Sequence, residues 1–280
     1  KVTLTRTQAK DLLRKYDISP RKSLGQNFVV EPNTIRQVIE LSSIKPSDFI
    51  IEIGPGIGSL TLSLLEVAGH VTAVEIDSAL VEILEDSLEP EDKKFRLIHA
   101  DVMDLDLNEL LIARNETWKL VANLPYNISV PLICDFLERV PAITKMTVMV
   151  QREVAERLVA KPGEKAFGLP SLKVQYFAEV KKIADVPSSV FLPKPKVESS
   201  LLQIKRLEKH SISTNPELLF ELAKQAFNQR RKMLRRSLKD IFELNDFESV
   251  GIDPTSRAED ITLEEWVSLT EKFVRKREKS

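Results

Sequence analysis

At 280 residues with 42% hydrophobic side chains, the chain exceeds a typical single domain, which points to one large α/β domain and a smaller appendage. Its 41 Lys and Arg against 42 Asp and Glu leave a formal charge of -1, so net charge neither demands nor excludes a nucleic acid and the distribution must decide. One cysteine, Cys134, excludes an internal disulfide, three widely spaced histidines offer no metal cluster, and neither a membrane span nor a secretory core is present, so a cytoplasmic protein is expected.

The first 22 residues carry seven Lys or Arg against Asp11 and Asp17, a locally basic arm. From Pro32, Ile35, Val38 and Ile39 recur at helical spacing, and Phe49-Ile50-Ile51-Glu52-Ile53 then reads as a first strand ending in glycines. Val71 to Val74 reads as a second strand ending at Glu75, Phe95 to Ile98 as a third ending near Asp101, Leu120 to Ala122 as a fourth, and Met146 to Val150 as a fifth. Helical patterns separate them: Leu60 to Leu65, Ala79 to Leu88, and Pro131 to Val140. This alternation predicts a mostly parallel sheet covered on both faces. After Glu153 to Leu158, Lys161 to Gly168 reads as a mobile loop and Ser200 to Lys205 as a last strand. Beyond Leu207 only helical patterns follow, with Leu218, Leu219, Leu222, Ala223, Ala226 and Phe227 on one face, so a domain boundary is placed there.

Glu52-Ile-Gly54-Pro-Gly56-Ile-Gly58 follows the first strand and opens a helix, where glycines let a ligand approach the backbone. The Gly-x-Gly-x-Gly spacing is tighter than the dinucleotide pattern, and no Lys-Ser or Lys-Thr pair follows, which points away from NAD and ATP. Glu75, 21 residues after Gly54, is placed to accept both hydroxyls of a ribose, and Asp101 to take a proton from the amine of an adenine ring. Either acid taken singly is an ordinary solvated carboxylate; three such features at three successive strand ends describe a pocket for an adenosine without a phosphate. S-adenosylmethionine is the common cofactor of that description.

Asn123-Leu124-Pro125-Tyr126 stands at the fourth strand end. Alone it is turn chemistry with an aromatic behind it. Beside a cofactor methyl, however, the Asn123 amide oxygen and the Pro125 carbonyl would accept the hydrogens of adenine N6 and favour a nitrogen whose lone pair leaves the ring. Tyr126 would stack on the target base once it has left its own stack. Phe191 either closes the other face of that sandwich or packs under the proline-rich turn around it. Arg230, Arg231, Lys232, Arg235, Arg236 and Lys239 fall within ten residues without an acid, which on a helix would cover one side with phosphate contacts.

Five segments in order, Ser23-Leu-Gly-Gln-Asn-Phe28, the glycine motif, Asn123-Leu-Pro-Tyr-Asn-Ile-Ser129, Phe191-Leu-Pro-Lys-Pro-Lys-Val-Glu-Ser199 and Phe227-Asn-Gln-Arg-Arg-Lys232, resemble the KsgA/RsmA/Dim family of ribosomal RNA adenine dimethyltransferases. Val29-Val30-Glu31 departs from the Leu and Asp expected after Phe28. The resemblance implies a Rossmann-like class I SAM-dependent methyltransferase, a mostly parallel seven-stranded sheet with a small C-terminal all-α domain. The expected divisions are 1–30, a basic arm and cofactor-lid segment, 31–207, the methyltransferase domain, and 208–280, a helical RNA-binding domain. The cofactor residues expected are Asn27, Val29, Gly54, Gly56, Glu75, Ile76, Asp101, Val102 and Asn123, with Asn123 to Tyr126 catalytic and Tyr126, Phe191, Arg230, Arg231, Lys232, Arg235 and Arg236 meeting the RNA. The implied substrate is a pair of adjacent adenosines in a hairpin loop near the 3′ end of 16S rRNA, met by a monomer within the small subunit or its precursor. Two other readings stay open, a methyltransferase of the antibiotic-resistance type acting on large-subunit rRNA, and an assembly factor that mainly binds RNA.

Overall fold

Thr5 opens the first helix of the computed structural model: its hydroxyl accepts the Gln8 N–H while the Gln8 side chain accepts the Thr5 N–H, a reciprocal capping box. The structure describes residues 3–88, 94–112, 117–208 and 214–278. Helix α1 (Arg6–Lys15) buries Ala9 and Leu13 in a cluster with Phe28, Ile57, Leu80 and Ile83, so the basic arm is a docked helix whose Lys10, Arg14 and Lys15 stay exposed.

In chain order there follow β1 (Phe28–Val29), α2 (Pro32–Ser42), β2 (Phe49–Ile53), α3 (Ser59–Val67), β3 (His70–Glu75), α4 (Ser78–Ser87), β4 (Phe95–His99), α5 (Leu107–Ile112) and β5 (Trp118–Asn123). Then come α6 (Ser129–Arg139), β6 (Ile143–Gln151), α7 (Arg152–Val159), α8 (Leu169–Phe177), β7 (Ala178–Val186), β8 (Phe191–Leu192) and β9 (Ser199–Arg206). The helices α9 (Pro216–Phe227), α10 (Leu234–Ser237), α11 (Leu244–Glu248) and α12 (Leu263–Arg277) complete the chain.

Seven strands form one sheet in the order β4-β3-β2-β5-β6-β9-β7. β2 runs parallel to both β3 and β5, β3 to β4, and β5 to β6, while β9 is antiparallel to β6. Ile50 and Ile51 of β2 face opposite sides and both are fully buried, as helices covering both faces require. Strand order reverses at β2, so a crevice opens beyond the carboxyl ends of β2 and β5. The register Ile51↔Leu120 brings Gly54 and Asn123 to the same height there.

β7 departs from the expected pattern because it lies at the sheet edge: Glu179, Lys181, Lys182 and Asp185 are exposed along it, which blunts an edge but erases the apolar run of a buried strand. The chain divides into two compact units, Lys1–Ala155 with Val180–Arg206, and Glu156–Glu179 with Leu207–Ser280. The return at Leu207 lies beside the expected boundary at 207. Residues 156–179, however, join the helical unit instead of the sheet unit, because Tyr176 and Phe177 of α8 pack on Phe220 of α9 with ring centroids 5.4 and 5.9 Å apart. The loop at 161–168 is fastened within that unit: Glu259 O accepts the Gly163 N–H at 2.7 Å. Among the described residues, no helix is long and apolar enough to cross a membrane.

Candidate active site

The crevice beyond β2 and β5 is an open cleft. Asn27, Val29, Gly54, Gly56, Glu75, Ile76, Asp101, Val102 and Asn123 all line it, together with Leu124, Pro125 and Tyr126. Among the described residues, no group of His, Cys, Asp or Glu is placed to hold a metal ion.

The glycine turn makes the near wall. Gly54 has φ +67°, and a Cβ there would come 3.2 Å from Pro125 Cγ; at Gly56, φ +61°, it would come 2.7 Å from the Phe28 ring. Only a residue without a side chain keeps this backbone bare toward the cleft.

Glu75 ends β3 almost fully buried. Its Oε2 accepts the Gly56 N–H at 3.1 Å, and its Oε1 accepts the N–H groups of Ile76 at 2.9 Å and Asp77 at 3.0 Å. Burial raises its pKa and the three amides oppose that rise, so the carboxylate is held in one orientation with lone pairs left for a ligand. Asp101 caps the turn after β4, its Oδ1 accepting the Met103 N–H at 2.9 Å.

Glu52 also lines the cleft and was not foreseen as a site residue. It is 2% exposed, and its Oε2 has no hydrogen-bond partner among the described residues. Burial pushes its pKa up to about 8; the Thr61 hydroxyl beside it opposes that rise, and the nearby Glu75 charge adds a lesser push. The available signal was an acid inside a wholly apolar strand, a costly placement unless something cationic meets it.

Asn123 is the last residue of β5. Its Nδ2 donates to the Asn27 carbonyl at 2.8 Å, while its Oδ1 is buried without a partner among the described residues. A carbonyl only accepts, so the nitrogen must face Asn27 and the amide oxygen is the atom left over. The Pro125 carbonyl closes the next turn by accepting the Ile128 N–H at 3.2 Å. Tyr126 sits half-buried, its hydroxyl 2.7 Å from Ser199 Oγ, and burial raises its pKa.

Two expected residues fall elsewhere. Phe191 is fully buried, paired through β8 with Val29 of β1 and packed among Ile35, Val190 and Leu201. It is the packed phenylalanine under a proline-rich turn, so it supports Val29 and does not face Tyr126. Arg230 is likewise committed, paired with Glu259 and donating to the carbonyls of Lys165 and Phe167. The basic run is not one helix: α9 stops at Phe227, whose ring lies 6.2 Å from both Phe167 and Trp266, and a turn leads to α10. Arg231, Lys232, Arg235 and Arg236 remain exposed.

This strand order with an open cleft at the reversal of the sheet defines the class I S-adenosylmethionine-dependent methyltransferase fold. The ribosomal RNA adenine dimethylase family matches residues 18–275, and the chain belongs to that family. It is 40% identical over 270 residues to Ribosomal RNA small subunit methyltransferase A of Clostridium perfringens, covering 94% of each chain. It is 41% identical over 281 residues to the protein of that name from Mycobacterium avium, covering 96% of this chain and 87% of the relative. A dimethyladenosine transferase from Plasmodium falciparum superposes with a TM-score of 0.76 at 25% identity, over 88% of this chain and 97% of that one. The 23S rRNA methyltransferase ErmE shares the fold, with a TM-score of 0.68 at 22% identity over 88% and 99%.

Proposed function

We propose that the protein transfers methyl groups from S-adenosylmethionine to N6 of two adjacent adenosines in a hairpin loop near the 3′ end of 16S rRNA, dimethylating each during small-subunit biogenesis in the cytoplasm. The observation that carries this reading is the buried Asn123 Oδ1, an acceptor that no donor among the described residues meets.

The cleft suits the cofactor. The bare glycine turn would admit its amino-acid end, Glu52 Oε2, without a partner among the described residues, would meet its ammonium, Glu75 would take the ribose hydroxyls and Asp101 the adenine amine, with Ile76 and Val102 lining the same cleft. When bound, the cofactor supplies an electrophilic sulfonium methyl.

Asn123 Oδ1 accepts one N6 hydrogen of the target adenine. The Pro125 carbonyl, expected to accept the other, is engaged by Ile128, whereas the Leu124 carbonyl accepts no hydrogen bond among the described residues, so the second role falls to Leu124. Two acceptors out of the ring plane favour a tetrahedral nitrogen with its lone pair free, and alignment of this kind is worth effective molarities up to about 10⁵ M or more. Tyr126 holds the base by stacking, its ring steadied by Ser199. Exposed Arg231, Lys232, Arg235 and Arg236 hold RNA phosphates while base reading stays in the cleft.

Relatives at about 40% identity, each named for the small subunit, support that choice over the large subunit. Purified protein incubated with undermethylated small subunits and labelled S-adenosylmethionine should place label on the small-subunit RNA. Label on large-subunit RNA instead would overturn the reading.

A further inference from the structure

Gln26 lines the cleft wall between Gly25 and Asn27. Its side chain reaches in two directions: Oε1 accepts the Arg21 N–H at 2.7 Å, and Nε2 donates to Asp77 Oδ2 at 2.8 Å. Asp77 is 2% exposed, its other oxygen accepts the Ala79 N–H at the start of α4, and its own N–H is held by Glu75 Oε1 at 3.0 Å. On its other side Gln26 precedes Asn27, whose carbonyl takes the Asn123 amide. Beyond Asn27 the chain is fixed by Phe28 pairing with Leu192 and by Val30 donating to Val190 O at 2.9 Å.

From this chain of contacts we infer that Gln26 is a positioning residue for methyl transfer, acting through Asn27 to set which way the Asn123 amide points. An Asn side chain has two ends of nearly equal shape and opposite hydrogen-bonding character. With the Asn27 carbonyl in place, only the flip that leaves Oδ1 toward the target is satisfied. Without it, the amide can turn and present two donors to an N6 that is itself a donor. Strand pairing fixes Asn27 from one side; on the other, Asn27 Nδ2 donates to Gly25 O at 3.2 Å, the Gln26 N–H donates to Arg21 O at 3.4 Å, and this turn is tied to Asp77 by the Gln26 side-chain bond and by the Arg21 guanidinium at 3.6 Å. The same bond joins the acid beside the ribose site to the amide beside the target.

The inference rests on the proposed reaction, and its test separates the two. Gln26→Met keeps the volume and removes both bonds; kcat for transfer at saturating cofactor should fall about tenfold or more with KM for RNA within about twofold. Gln26→Glu sets two carboxylates together and should be as impaired, whereas Gln26→Glu combined with Asp77→Asn restores the bond with donor and acceptor exchanged and should recover to within about threefold of the parent. A parent-like kcat in Gln26→Met, or no recovery in the double variant, overturns the inference. A parent protein inactive on small subunits would instead refute the proposed reaction. In that event the Asn123 side-chain amide still decides: its ¹⁵N signal, identified by its loss in Asn123→Asp, should exchange slowly with solvent in the parent and rapidly in Gln26→Met. Equal protection in both overturns the inference whatever the substrate.

Discussion

Asn123 gives its side-chain N–H to the carbonyl of Asn27 across 2.8 Å, two residues 96 positions apart, and the other end of the same amide is buried without a partner among the described residues. Leaving such an acceptor unmet costs about 1–3 kcal/mol, a cost that persists where a ligand meets it.

Replacing that amide separates chemistry from binding. Asn123→Ala should lower kcat by about a hundredfold or more while the cofactor Kd changes by less than about fivefold, because the remaining cofactor contacts stand on β2, β3 and the turn after β4. Single-turnover rates and calorimetric titration of the cofactor check the two halves.

Glu52 makes the cofactor site respond to pH. Its pKa is raised in the folded chain from the ordinary 4.5 to about 8, so the protonated acid is favoured and the stability it allows, full below pH 4.5, is lost as pH rises through 8. An ammonium placed against it favours the carboxylate, so cofactor affinity should rise with pH up to about 8. Glu52→Gln should abolish that rise, weaken the cofactor about tenfold or more at pH 8, and raise the free protein's Tm by about 4 °C or more at pH 9. Titrations at pH 6 to 9 and thermal melts without cofactor read both.

Tyr126 divides stacking from its hydroxyl bond. Tyr126→Phe keeps the ring and loses only the bond to Ser199, so turnover should fall less than about fivefold, whereas Tyr126→Ala should cost about fiftyfold or more. Initial rates at saturating RNA and cofactor distinguish them.

The basic motif divides into architecture and contact. Arg230→Ala should lower Tm by several degrees, since Glu259 and two backbone carbonyls lose a partner. Reversing Arg235 and Arg236 to Glu should leave the melt nearly unchanged but weaken RNA binding and reduce the slope of log affinity against log salt by about two. RNA binding unchanged across salt concentrations would remove these arginines from the interface.

Much of the site was legible because β2, β3 and β5, buried on both faces, read as apolar runs, and chemistry stands where each stops, at Gly54, Glu75 and Asn123, with Asp101 after the half-buried edge strand β4. Phe191 was not, because its fate depends on a two-residue pairing with Val29 too short to leave a pattern. Arg230 and Arg231 are neighbours of identical charge, and only the fold brings Glu259, 29 residues on, to one of them. The chain changes unit inside β7, between Glu179 and Val180, and nothing local in the sequence marks that point.

The most direct test of the methyl-transfer reading is mass spectrometry of small-subunit RNA recovered after reaction of purified protein with undermethylated subunits and S-adenosylmethionine. Two adjacent N6,N6-dimethyladenosines in a loop near the 3′ end of 16S rRNA, absent with Asn123→Ala, are predicted. An unmodified small-subunit RNA, or methylation at any other atom, would contradict the account.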